Sequence, residues 1–351
     1  DLDGVLHLNH SSASPIDTLF LNNNNFERIE FSGTGPRSGF MRFQNNPSLR
    51  SIVIHDAIES FKYQHLNYIN VQTQLLQSYH ADSLINDLDI SAMEDIVAVS
   101  NMNFYRDIYE RLNTSFKGFE ISNATGEFRV TRFYGWSLGF IGNFPLSTQN
   151  LSELTYLSLR NNNITHISDT IWAGLNNLEN LIISNNYNYG LLENGIYGLS
   201  NLKYLSFNNC SSDELNTGIG ALTNLEYLNF ANNDIELIPT DIENLTGLKT
   251  LIAAPNPIAS IPSEVGDLVL LEELDFSGCD LTNTPPELGN LINLEKLYLN
   301  NNQIQSIFPG IGDLVNLKVL TLHDNQITGL PSDFGDLIHL KSLNLSKNHL
   351  V

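Results

Sequence analysis

Basic residues are scarce in this 351-residue chain: 17 Lys and Arg stand against 39 Asp and Glu, for a net charge of -22. So acidic a surface repels a phosphate backbone or an anionic bilayer, so nucleic acid is excluded as an expected partner. No stretch of 18 or more consecutive apolar residues occurs, and membrane insertion as a helix is not expected. Two cysteines cannot make a disulfide framework, and there is no C-x-x-C pair. G-x-S-x-G, the phosphate loop and H-E-x-x-H are also missing. The acidic pairs Asp1 with Asp3 and Asp87 with Asp89 do not run on into a calcium loop with its closing Glu. The expectation is therefore a non-enzyme without metal or cofactor. The chain opens at Asp1 without Met or a basic and apolar segment, so a processed or trimmed product is expected.

What the chain has in abundance is repetition. The clearest unit runs from Leu294 to Asn316. Its first half places Leu294, Leu297, Leu299, Asn302 and Ile304 in the pattern L-x-x-L-x-L-x-x-N-x-I, and its second half carries Pro309, Gly312 and Leu314. Equivalent first halves start at 154, 178, 202, 225, 248, 271, 294, 317 and 340, with two spacings of 24 and then six of 23. The L-x-L alternation has the period of a short strand, with leucines inward and the intervening residues outward. Asn162, Asn186, Asn233, Asn256, Asn302, Asn325 and Asn348 fall where the backbone leaves the strand. There an amide can satisfy buried backbone groups that would otherwise cost about 1 to 3 kcal/mol each. Pro239, Pro262, Pro286, Pro309 and Pro331 suit the entry to a return segment. Gly266, Gly289, Gly312 and Gly335 follow, where backbones approach closely or take positive φ. Cys210 and Cys279 occupy the Asn position of their units, three units apart. At a strand spacing of about 4.8 Å, their sulfurs are too distant to bond, and both are expected to be buried thiols.

A fixed period of L-x-x-L-x-L-x-x-N/C-x-L is the signature of leucine-rich repeats, and residues 144–351 resemble that family closely. LEYLNFANNDI, LEKLYLNNNQI and LKVLTLHDNQI carry the resemblance, and the halves LIPTDIENL, IPSEVGDL and LPSDFGDL resemble its 23-residue class. The resemblance implies an α/β solenoid, with a curved parallel sheet on the concave face and short helical or extended segments on the convex one. It also implies that the concave face binds a partner. On that face, charges of opposite sign neighbour one another in the column Glu179, Lys203, Glu226, Lys249, Glu272, Glu295, Lys318, Lys341. Tyr204 and Tyr227 are expected side by side in the next column, with Tyr156 two strands away. Asn229, Ile252, Asp275 and Tyr298 belong to the central column, where Ile182 and Ile252 stand exposed. His323 completes the candidate binding set.

The first 143 residues are less regular and read as divergent repeats or a cap. Ile16, Leu19, Leu21, Asn24 and Phe26 match the strand half. Leu49, Ile52 and Ile54 match next, then Ile85, Leu88 and Ile90, then Phe116, Phe119 and Ile121, at intervals of 33, 36 and 31. Residues 93–112 suit a helix, and FERIEFSGTGPRSGFMRF reads as a hairpin or protruding loop. Eight N-x-[ST] sites are no more than so Asn-rich a chain yields by chance. The leading expectation is a recognition or adhesion protein, secreted or at a bacterial cell surface, whose concave face binds a protein or a glycan. One alternative is a cytoplasmic scaffold of the Ras-associated type, which shares this repeat class. Another is the substrate-reading part of an enzyme whose catalytic module lies in residues 1–143 or outside the chain.

Overall fold

The computed structural model describes residues 129–186 and 194–351 throughout. Before residue 129 it describes residues 92, 95 and 96 and the backbone of the strands Val5–Asn9, Thr18–Phe20, Arg28–Ser32, Phe40–Arg42, Ser51–His55, Gln74–Tyr79 and Gly118–Ser122. The chain forms two compact units, 1–134 and 135–351.

The second unit follows from its repeat. Nine strands among its described residues, from Tyr156–Ser158 to Ser342–Asn344, pair in parallel with their sequence neighbours. Each register joins the same position of successive units, as in Leu228 to Leu251 to Leu274. Strands of three residues suffice because each inner coil hydrogen-bonds to the coils on both sides. Leu225, Leu228, Leu248, Leu251, Leu294 and Leu297 are fully buried, and burial of one such side chain is worth about 1.5 to 3 kcal/mol. Phe207, Phe230 and Phe276 take the third inward slot of their coils. Phe207 stacks on Phe230 with ring centroids 6.0 Å apart.

The return segments are mostly short 3-10 turns, with one α-helix, Asp169–Gly174, burying Ile171 and Trp172. Prolines enter several of them: Pro239, Pro262, Pro285 and Pro331 sit at the N-cap with φ near the fixed value of the ring. Two expected entries shift by one residue. Pro286 is the first helical residue after Pro285, and in the next unit, where Phe308 displaces Pro309, Gly310 begins the turn at φ 85. Gly266, Gly289 and Gly312 are needed for close approach, because a Cβ there would strike the backbone of the following coil; none is among the positive-φ glycines.

The first unit departs from the expected intervals. Val5–Asn9, Arg28–Ser32, Ser51–His55 and Gln74–Tyr79 form a four-stranded parallel sheet in which Val5 pairs with Arg28, Arg28 with Ser51 and Ser51 with Gln74, a step of 23 residues each time. The expected interval of 33 joins two apolar triplets, that of Leu19 with Leu21 and that of Ile52 with Ile54. The first of these falls at the separate Thr18–Phe20 strand, which pairs with Phe40–Arg42. Of the hairpin or protruding loop expected over residues 26–43, the hairpin does not form between the described strands. Its two halves belong to different sheets, because alternation of period two suits parallel stacking as well as a hairpin. Gly118–Ser122 pairs antiparallel with Arg129–Tyr134, so the match at Phe119 and Ile121 is no parallel coil. Ile85, Leu88 and Ile90 lie outside the described residues, as do residues 93–112 except 95 and 96.

Candidate functional site

The outward residues of the short strands form the columns expected of them, since alternation leaves only these side chains free of the core. Tyr204 and Tyr227 are register partners. Their rings stack face to face, with centroids 4.1 Å apart and 3° between planes. Asn229 Nδ2 donates to the Tyr227 hydroxyl at 3.2 Å, tying the central column to the pair. Burial pushes the Tyr204 phenol above its ordinary range, reinforced by its hydrogen bond with Tyr227. Tyr156 is two strands away through Asn180. Arg160 lies over the Trp136 ring at 5.4 Å from its centroid, a cation-π contact worth about 0.5 to 1 kcal/mol at an exposed site. The Arg160 charge reaches Tyr204 and lowers its pKa somewhat.

Asn229, Ile252, Asp275 and Tyr298 stand in one column on four successive strands. Ile182 and Ile252 are half-buried rather than exposed. Asp275 accepts the Ser277 amide at 2.8 Å, and burial raises its pKa. Burial and the Glu273 charge raise that of Tyr298. His323 stands apart, in a different column at the far end. Its Nε2 is 3.9 Å from Asp324, and its buried Nδ1 makes no hydrogen bond.

Charge pairing across strands is extensive. Lys203 meets Glu179 at 3.0 Å, Lys249 meets Glu226 at 2.6 Å and Lys318 meets Glu295 at 2.5 Å. Lys296 with Glu273 at 2.9 Å adds a pair in the next column. The partners are largely exposed, so the pairs add little to stability and chiefly fix side-chain positions. Cys210 and Cys279 are free and buried, and burial pushes both thiols up to about 11. Among the described residues no three His, Cys, Asp or Glu gather as a metal site, and no helix is long and apolar enough to cross a membrane.

Two features of this face were not read from the sequence. Trp136, from the coil before the first recognised strand, lies under Arg160, which follows that strand. A second amide ladder runs along the strand exits: Asn185 donates to Asn161 at 2.6 Å, Asn209 to Asn185 at 2.7 Å and Asn232 to Asn209 at 2.7 Å. All four have left-handed φ, which Asn tolerates better than other side chains. The signal was present in the doubled asparagines Asn161-Asn162, Asn185-Asn186 and Asn232-Asn233.

Comparison with known proteins agrees with this geometry. A family model described as a leucine-rich repeat region matches residues 187–306. A second, described as leucine rich repeat, matches 146–187 and 292–350. Together they run from 146 to 350. No curated protein matches by sequence. Among solved structures, the Arabidopsis receptor kinase HAESA, in complex with the peptide hormone IDA and the co-receptor SERK1, is 27% identical with a TM-score of 0.66, over 75% of this chain and 46% of that one. A leucine-rich repeat protein of Leptospira interrogans is 21% identical with a TM-score of 0.59, covering 92% of this chain and 79% of that one. The ectodomain of the plant membrane receptor kinase GASSHO1/SCHENGEN3 from Arabidopsis thaliana is 21% identical with a TM-score of 0.60, over 95% of this chain and 47% of that one. The chain thus spans less than half the length of either plant protein.

Proposed function

This chain belongs to the leucine-rich repeat family, and from that premise we propose that it is a recognition protein whose sheet face binds a peptide or protein segment. The observation that carries the reading is the stacked pair Tyr204 and Tyr227, together with Arg160 over Trp136. Aromatic and Arg side chains dominate binding energy at protein interfaces because they bury large area with little rotamer entropy. The rest of the face is held in place by ion pairs and amide ladders, so little order is lost when a partner binds.

Peptide is favoured over glycan on the geometry of the stack. Each tyrosine spends one ring face on the other at 4.1 Å, so the pair offers fewer free ring faces for sugars than two separate platforms would. The complex of HAESA with a peptide hormone supports the same reading.

Selection of a random peptide library on the immobilised protein, with affinities measured by calorimetry, tests it. Selected peptides are expected to lose about tenfold or more in affinity to Tyr204→Ala/Tyr227→Ala, a loss of about 1.4 kcal/mol or more, while circular dichroism shows the fold intact. Peptides that bind the double variant as well as the parent would remove this patch from the site.

A further inference from the structure

A second surface lies at the turns that lead from the return segments into the strands. Two residues before each unit's first leucine, the chain carries Ser152, Asn176, Ser200, Thr223 and Thr246 in the first five coils. In the next four it carries Val269, Ile292, Val315 and Ile338. These four are 46%, 52%, 44% and 75% exposed. The same local bond recurs in both sets. The amide of Ser152 bonds to the carbonyl two residues back, as do those of Ser200, Val269, Ile292, Val315 and Ile338, at 2.8 to 2.9 Å. Ser therefore serves this turn as well as Val and Ile do, and the turn geometry does not call for branched aliphatics. Leu270, 47% exposed, widens the stripe. Its counterparts Asn293 and Asn316 donate to carbonyls of the preceding coil, so here too an apolar residue has replaced one with a structural bond.

We propose that Val269, Ile292, Val315 and Ile338 form a docking stripe for an amphipathic helix of a partner protein, one with an aliphatic face bordered by Lys or Arg. Two properties select this occupant. The first is spacing: coils repeat about every 4.8 Å, close to the pitch of about 5.4 Å per helical turn, so a helix laid along the stripe offers one side chain per coil. An added strand would offer one per about 6.7 Å on the same face and fall out of step. The second is charge. Two residues before each stripe position stand Asp267, Asn290, Asp313 and Asp336, all exposed, forming an acidic border along one side. In a chain of net charge -22 this border draws basic groups and opposes a second copy.

The probe is a labelled model helix of Leu, Ala, Gln and Lys, with one Leu per turn and a flanking Lys row, beside a scramble of identical composition. Binding to the parent protein is followed by fluorescence anisotropy at about 0.15 M salt, where long-range attraction is screened. The helix is expected to bind about tenfold or more tightly than its scramble. Ile292→Ser/Val315→Ser should abolish that margin, Asp313→Asn should weaken binding, and Tyr204→Ala/Tyr227→Ala should leave it unchanged. Equal binding of helix and scramble, or full binding by the Ser variant with native circular dichroism, overturns the proposal. A concentration-dependent dimer in sedimentation that the Ser variant lacks would also overturn it, assigning the stripe to a second copy of this chain. Because the tyrosine pair and the stripe are varied separately, failure of one reading leaves the other standing.

Discussion

At the scale of single residues, the asparagine at the strand exit shows how one side chain can serve two coils. Asn302 Nδ2 donates to Phe276 O in the preceding coil at 2.8 Å and to Leu299 O in its own at 3.0 Å, while its Oδ1 accepts from Leu281 N–H. Cys210 takes the same slot with less. Its thiol donates to Ile183 O at 3.4 Å and has no second polar atom to accept an amide. Both cysteines are held neutral by burial, with pKa near 11 against an ordinary 9.0. Between those values the unfolded chain sheds thiol protons that the folded chain keeps. Their contribution to stability is therefore complete below about pH 9 and is lost as pH rises through about 11. A thiol-specific disulfide reagent at about pH 8 should accordingly find no fast-reacting thiol in the native protein and both in denaturant. A rapid stoichiometric reaction of either in the folded protein would contradict this burial. The residue types at the Asn slot were plain from the sequence. The left-handed ladder beside them was not, because its asparagines gain their meaning from partners one coil away.

At the scale of elements, the return turns are spaced by what the next coil brings against them. A Cβ at Gly312 would meet Asp333 O and its carbonyl carbon, whereas Gly335, the same position one unit on, has nothing within 4 Å. Gly312→Ala is expected to cost about 1 to 3 kcal/mol, the range for forcing atoms into a packed space. Gly335→Ala should be neutral or stabilising by about 0.4 to 1 kcal/mol through the unfolded chain. Paired thermal melts check this, and equal shifts for the two would show that close approach is not the reason for the glycine. Proline marks most turns correctly in the sequence. The entry at Gly310 escapes it because one displaced residue, Phe308, changes which backbone unit must turn.

At the scale of the whole molecule, each coil of the second unit packs only on its neighbours, so stability is a sum of local interfaces. The strand Ser342–Asn344 has one such interface among the described residues, and Leu343 is 42% exposed where Leu297 and Leu320 are fully buried. Opening that coil breaks one contact surface where an inner coil must break two. Amides of residues 341–345 should therefore exchange at least about tenfold faster than those of 295–299 in native hydrogen exchange. Uniform protection along the array would mean that it opens only as one body.

The sequence by itself determined the second unit. A period of 23 with leucines at fixed offsets leaves parallel stacking as the way to bury every apolar face, and the columns of Tyr, Glu and Lys follow from that register. The tertiary structure alone decided the rest. It showed that the strands of residues 5–79 also step by 23. It showed that Tyr204 and Tyr227 stack instead of merely neighbouring, and that four aliphatic residues spread over 70 positions line up as one stripe. The physical reason is common to all three. Register fixes which Cα atoms are neighbours, while ring orientation, the choice of strand segments and exposure at turns depend on contacts between residues about 23 or more apart, which no local pattern encodes.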